Sequence, residues 1–418
     1  MRSLTPLIRA LAAFLLLGAA LPAKAQDAEA PVFKLTGRYQ NLLVVSGAED
    51  PATQDSDTLV FDMNRLRLTP EFRFSENFML HADLDNEIFI GNDIDSPAFQ
   101  DYLNPWSYND LWNPSTDNEI SGDLVYRLKL HRAYAKLVTG RWTLTLGRQQ
   151  VRFGSGRIWN PLDILNPISP TFVEGAEDQK GIDAFRAEYY PGPATEITAV
   201  YSPRREDDVL DAAALVHADG IVRFKTAVKD TDIAVLGGTV ARRAVIGLDA
   251  AGILKGGLLR GAVMHSRPED GDDFWLAGAG YEYAFQNGLY TLFEYFYNGN
   301  ALNDNPELAQ AYVETRIYGM NEERYRLLAN NFLTLNAHYL GLAMGYDITP
   351  LVRADLFLIY DVEGNGLFIS PTATWNMFQN TDLSVSVMTG CVFDGSDPSD
   401  FEAFAEHPLV SVSLIRYF

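Results

Sequence analysis

Alternation of apolar and polar residues with a period of two runs almost without pause from residue 33 to residue 418, and it limits the possible folds more than any motif does. In Arg65-Leu66-Arg67-Leu68-Thr69-Pro70-Glu71-Phe72-Arg73-Phe74, residues Leu66, Leu68, Phe72 and Phe74 fall on one strand face. Arg65, Arg67, Glu71 and Arg73 fall on the other. Each alternating segment is about ten to fifteen residues long and is bounded by Gly, Pro, Asn or Asp, with almost no helical period. Strands of soluble sandwiches typically run about five or six residues, whereas about ten alternating residues suit a tilted strand crossing a hydrocarbon layer. The pattern predicts an all-β chain, a transmembrane antiparallel up-and-down β-barrel, over a soluble sandwich.

About eighteen segments can be counted, with sixteen as the alternative; an even number is what a bacterial barrel with both chain ends in the periplasm requires. The connections sort by parity. Long ones at 91–122, 154–180, 203–220 and 299–331 follow odd segments, and short turns such as Thr139-Gly140-Arg141, Gln286-Asn287-Gly288 and Asp347-Ile348-Thr349-Pro350 follow even ones. Short periplasmic turns and long outer loops are the outer-membrane arrangement. Aromatics agree: Tyr281, Tyr283 and Phe285 share one face, and Trp142 and Tyr417-Phe418 stand at segment ends, where interfacial girdles lie.

Arg2 and Arg9 precede an apolar run from Leu11 to Leu21, and Ala23-Lys24-Ala25 supplies an A-x-A cleavage site. The expected organisation is a signal peptide over 1–25 and one barrel over 26–418, since no Pro/Gly/Ser linker and no break in composition divides the chain. The lone Cys391 excludes an internal disulfide. Loss of Arg2, Arg9 and Lys24 with the leader takes the formal charge from −22 to −25, which argues against nucleic acid as a partner. Outer-membrane lipid and lipopolysaccharide, small hydrophilic solutes and a possible homo-oligomer are the partners such a chain suggests.

If the apolar positions face lipid, the alternate positions line a lumen. Arg65, Arg67, Arg127 and Lys129 are then pore-lining, since a lipid-facing Arg or Lys costs about 2 to 4 kcal/mol at the midplane. Acids on later segments, among them Asp249, Glu282 and Glu294, suggest opposed walls with a transverse field. The stretch Gly147-Arg148-Gln149-Gln150-Val151-Arg152-Phe153-Gly154-Ser155-Gly156-Arg157-Ile158-Trp159-Asn160-Pro161-Leu162-Asp163 starts as a strand and ends as a loop. It is read as the end of the fifth segment and the start of a third outer loop that turns into the lumen. Arg148, Arg152 and Arg157 would there meet the loop's own acids, Asp163, Glu174, Glu177 and Asp178. Leu144 and Leu146 set a parity that sends Arg148 outward, so a glycine bulge at Gly147 is expected to restore it to the lumen.

The same stretch carries a resemblance. G-R-Q, an aromatic-Gly pair, N-P-x-D and a further N-P resemble proteobacterial outer-membrane porin-like barrels of uncharacterised function and, more loosely, alginate-export-type porins. The likeness in motif covers about residues 142–190, with Phe153-Gly154 where those relatives often have Trp-Gly. It implies a passive or export-type channel. The C-terminal Val410, Val412, Leu414 and Phe418 on one face resemble the last strand of such barrels, with Arg416 departing from the pattern.

No enzyme is expected. Gly154-Ser155-Gly156-Arg157 lacks a P-loop lysine, no G-x-S-x-G is present, and the six histidines show no ligand spacing. No cofactor is expected; Ca²⁺ or Mg²⁺ at the acidic loops 269–273 and 394–400 is a weak alternative to a solvated charge patch. The sequence thus points to an outer-membrane channel for small hydrophilic solutes, constricted by the 154–180 loop. The second reading is a secretion or polysaccharide-export pore working with periplasmic partners.

Overall fold

The computed structural model describes residues 31–49, 56–92, 94, 111, 115–121, 123–165, 170–171, 181–204, 217–269, 271–318, 328, 331–393 and 398–418. Segments of alternating residues become strands because each backbone group in hydrocarbon must find a partner, which only a closed sheet supplies. In chain order these are β1 (Val32–Glu49), β2 (Ser56–Ser75), β3 (Phe78–Gly91), β4 (Ser115–Ser121), β5 (Leu124–Thr139), β6 (Trp142–Gln149) and β7 (Ile182–Gly192). Then follow β8 (Thr195–Arg204), β9 (His217–Val228), β10 (Thr231–Val240), β11 (Arg243–Leu254), β12 (Gly257–Pro268) and β13 (Phe274–Ala284). The last are β14 (Tyr290–Asn298), β15 (His338–Thr349), β16 (Val352–Asp361), β17 (Gly366–Phe378), β18 (Thr381–Val392) and β19 (Leu409–Tyr417). Helices α1 (Pro306–Tyr318) and α2 (Glu402–Glu406) lie in connections.

Each wall strand pairs antiparallel with the next, and β19 returns to β1 from Arg38↔Tyr417 to Ser46↔Leu409, closing an 18-strand barrel. β4 stands outside that count. It pairs only with β5, between Ser115↔Lys129 and Ser121↔Leu124, above the point where β6 has ended. The alternation had predicted a fifth segment to residue 153; the strand stops at Gln149, and β4 takes over the exposed edge of β5. Ser-Thr-Asp-Asn-Glu-Ile-Ser has no apolar alternation, so β4 was invisible in sequence.

Side chains of directly opposed residues share a face. Arg65↔Glu87 and Arg67↔Asp85 therefore share the inner face, and Leu66↔Tyr39 and Phe224↔Val235 the outer one. The outer face is apolar and open, with Leu146, Val222, Ile246, Phe293 and Trp275 all about half exposed. A closed antiparallel barrel with an apolar band is the outer-membrane architecture. With the short turns taken as the periplasmic end, the interior of the outer half is packed with apolar side chains. Their cluster runs from Val151, Phe153 and Trp159 to Phe296, Tyr339, Phe368 and Phe401.

Candidate functional site: a lumen strap between two charged walls

Beyond β6 the chain leaves the wall. Gly147 has φ +120°, yet pairing continues through Tyr134↔Gly147↔Ala184 and Ala133↔Arg148↔Asp183 without a register shift. The expected bulge is therefore absent, and Arg148 keeps the outward parity of Leu144 and Leu146. It is tolerated there because its Nη2 donates to Asp183 Oδ2 at 2.8 Å, and because the Leu111 amide donates to the same oxygen at 2.8 Å. Arg148 and Asp183 are 2 % and 6 % exposed.

Residues 150–165 form a strap that reaches inward-facing side chains of β11–β15. Ser155 donates through its amide (3.0 Å) and hydroxyl (2.6 Å) to Asp249 Oδ1 on β11. Glu294 on β14 accepts three successive amides: Arg157 at 3.1 Å, Ile158 at 3.2 Å and Trp159 at 2.7 Å. A turn of irregular backbone inside a barrel needs such acceptors, since its own carbonyls are geometrically unavailable to it. Trp159 stacks on Phe296 at 5.4 Å with the rings 6° apart, and packs on Tyr339. Pro161 and Leu162 sit against Gly278 and Gly247, where a Cβ would have met them at 3.3 Å and 2.4 Å.

Asn160-Pro161-Leu162-Asp163 is the turn its composition suggests. The Asp163 amide donates to the Asn160 carbonyl (2.9 Å), and the Leu162 amide donates to Asn160 Oδ1 (3.3 Å). Asn160 Nδ2 also reaches back to the Phe153 carbonyl at 2.5 Å. Gly154, at φ +84°, lets the chain pass so near that a Cβ there would overlap Asn160 Oδ1.

The other residues singled out by sequence fall into two groups. Arg152 Nε lies 3.5 Å from Asp163, an acid of its own loop, while Arg157 Nε lies 3.7 Å from Glu282 on the wall. Glu282 also accepts from Arg260 at 2.5 Å and from the Tyr290 hydroxyl at 2.8 Å. Glu174, Glu177 and Asp178 lie outside the described residues. On the opposite wall Arg65, Arg67, Arg127 and Lys129 form a ladder with the acids of β3. Arg67 is bidentate on Asp85 (2.6 and 2.7 Å), and Arg65 and Arg127 each hold one oxygen of Glu87 at 2.5 Å. Lys129 is paired in register with Asp85. Below the ladder a cavity of about 690 Å³ is lined by Arg38, Arg132, Lys136, Arg186, His81 and Asp83 among others. One register shift, at Asp83/Leu84, leaves His131 without a cross-strand partner and brings Arg132 and Tyr134 to the cavity side.

The far-wall acids Asp249 and Glu294, read from sequence as one side of a transverse field, are turned to strap amides, while the arginines of the opposite wall are paired with the β3 acids beside them. Glu294 and Asp249 are the residues sequence reasoning did not assign to the strap. Both were legible as lumen acids, and nothing local tied them to residues 155–159, more than ninety positions away.

At the outer end, Asp400, beyond the wall strands, takes a hydrogen bond from the Tyr339 hydroxyl and accepts the Leu335 amide at 3.1 Å. Burial pushes its carboxyl up to about 6, with the negative Asp361 adding to that and the Tyr339 and Leu335 donors opposing it. Among the described residues no three metal-ligating side chains converge; Asp273 of the 269–273 loop stands 3.4 Å from His265.

No family model matches the chain, and no curated protein matches it. Among solved structures, the chain is similar to Pseudomonas aeruginosa OccK9 (OpdG) at TM-score 0.55 and 10 % identity, with 92 % of this chain and 98 % of that one covered. Pseudomonas aeruginosa OccK8 (OprE) matches at TM-score 0.52 and 9 % identity over 92 % and 98 %. OccD3 (OpdP) of the same organism matches at 0.50 and 11 % over 96 % of each. At such identities the likeness is one of fold, and the fold shared over nearly the whole of each chain is the porin-like barrel.

Proposed function

We propose that this barrel is a passive outer-membrane channel for small hydrophilic solutes, constricted by the third outer loop over 154–180, with the strap as the narrowing element. The observation that carries the reading is the mooring of residues 155–159 on Asp249 and Glu294. It sets the strap against the β11–β15 side and leaves the polar cavity on the β1–β7 side. Arg152, Arg157 and Asp163 on the strap and Arg65, Arg67, Arg127 and Lys129 on the ladder would border the solute path. Arg148 would act behind the wall, holding the start of the strap.

The second reading, a secretion or polysaccharide-export pore with periplasmic partners, draws on the apolar cluster that joins the strap to β14–β18 and to Phe401. A barrel filled at that level suits a pore opened by a partner. Planar-bilayer recording of the purified chain separates the two. An ohmic conductance from the protein alone supports the passive channel, and silence until 154–180 is deleted supports the export pore. Liposome swelling with neutral, anionic and cationic solutes then reads the preferred charge. Calcium or magnesium at 269–273 and 394–400 is a separate proposal, checked by titrating either ion against loop fluorescence.

A further inference from the structure

The chain carries a formal charge of −22, yet the cavity below the ladder is basic. Arg38 of β1, Arg132 and Lys136 of β5 and Arg186 of β7 line it, and Asp83 of β3 is the one acid among the described lining residues. Arg67 also reaches the cavity, but its guanidinium is bidentate on Asp85. Asp83 is itself engaged, by the Thr69 hydroxyl at 2.7 Å and by His81 Nε2 at 3.3 Å. With Glu188 counted, which stands 3.7 Å from Arg186, four cations face two carboxylates.

Strand register gathers part of this charge into one row. Lys136 is opposed to Thr145 and Thr145 to Arg186, so the three side chains share the inner face of β5, β6 and β7 at spacings of about 5 Å. Thr145 is 1 % exposed, and its Oγ1 has no hydrogen-bond partner among the described residues. A buried hydroxyl without a partner is uncommon, and here it stands between an ammonium and a guanidinium. The next inward row holds Tyr134, Gly147 and Ala184, two of which are too small to fill the space beside Thr145. Gly147 is confined to that size, since at φ +120° a Cβ would overlap the Ala133 carbonyl.

A lining rich in donors and short of acceptors selects a ligand of the opposite kind. A carboxylate brings one charge and two oxygens. A phosphate monoester brings about 1.5 to 2 negative charges and three acceptor oxygens, which matches the cation excess and the fork geometry of arginine. The volume, about 690 Å³, equals that of roughly twenty waters, so an organic body fits behind the phosphoryl group. The row faces inward, away from lipid headgroups. We infer that this cavity binds organic phosphate monoesters, with the Lys136–Thr145–Arg186 row holding the phosphoryl group and Arg38 and Arg132 closing on it from β1 and β5. The inference deepens the channel reading and rests on it only for the route by which the ester arrives.

Isothermal titration calorimetry of the full barrel in detergent tests it, with glucose 6-phosphate, glucuronate and glucose as probes. Glucose 6-phosphate is expected to bind at least tenfold more tightly than glucuronate, and glucose to give no heat. Lys136→Gln and Arg186→Gln should each weaken glucose 6-phosphate about ten- to a hundredfold, the loss of one charge-assisted contact. Thr145→Val keeps shape and charge, and should weaken it about tenfold even if the charge variants fail to fold. Arg73→Gln, at an exposed residue paired with Glu71 outside the cavity, should bind as wild type. No binding of glucose 6-phosphate, glucuronate bound as tightly, Thr145→Val binding as wild type, or an equal loss in Arg73→Gln and Arg186→Gln each overturns the inference. Binding is read without conduction: a barrel that binds the ester and never conducts sinks the channel reading alone, and a conducting barrel that binds none sinks this site alone.

Discussion

Glu294 is 2 % exposed and accepts three amides of the strap, so Glu294→Gln changes the mooring with almost no change of volume. A hydrogen bond to a charged acceptor contributes about 1.5 to 3 kcal/mol net, against about 1 for a neutral pair. The glutamine oxygen can keep the Ile158 and Trp159 amides as neutral bonds, while its amino group faces the Arg157 amide donor to donor. The strap should lose about 2 to 4 kcal/mol of attachment, so the detached population rises roughly 30- to 1000-fold. Detached, the strap can move toward the β1–β7 cavity. In single-channel records at fixed voltage, brief closures should become more frequent by one to three orders of magnitude. Glu294→Ala should exceed this, and Glu71→Gln, on a half-buried residue paired with Arg73, should behave as wild type. If Glu294→Gln and wild type show closures at rates within about twofold of one another, with both barrels folded by gel mobility, Glu294 does not hold the strap.

Three further outcomes follow from the same coordinates. Glu87→Ala leaves Arg65 and Arg127 buried without their shared carboxylate, which should cost about 3 to 5 kcal/mol in denaturant unfolding from detergent, and a loss below about 1 would show the ladder to be solvated. Gly154→Ala meets both a positive φ and Asn160 Oδ1, so it should release the turn at a cost of about 1 to 3 kcal/mol and raise protease cutting within 150–165; unchanged cutting would contradict the packing. The folded-state carboxyl of Asp400 is raised from 3.8 to about 6, so its contribution to stability is full below about pH 4 and is lost as pH rises through 6. The protection factors of amides in 398–406, corrected for intrinsic exchange at each pH, should therefore fall over that window in the wild type and stay flat in Asp400→Asn.

The strand ladder was legible in sequence because lipid outside and water inside impose a period of two over segments of about ten residues or more, longer than soluble sandwiches use. Sixteen of the predicted segments recur as wall strands within about four residues at each end, the one expected over 332–346 starts only at His338, and Arg65, Arg67 and Arg127 lie on the predicted inner face. The fifth ran too long since Val151 and Phe153 keep the strand alternation while serving the strap's apolar packing instead. β4 and α1 escaped notice for the opposite reason: 115–121 is polar throughout, and 306–318 lies in a connection whose pattern has no single apolar face.

Local sequence determined that the chain closes as a membrane barrel, where its turns fall and that Asn160-Pro161 bends the loop, since each depends on neighbours within a few residues. What the strap touches was decided only by tertiary structure. Asp249 and Glu294 reach residues 155–159 through barrel closure, which brings β11 and β14 across from β6. The outward placement of Arg148 follows from the unbroken pairing of β6 with β5 and β7, and its partners Asp183 and the Leu111 amide are ones that no nearby residue foretells. Periodicity encodes which side of the wall a residue faces; the partner it meets there depends on the curvature and closure of the whole sheet.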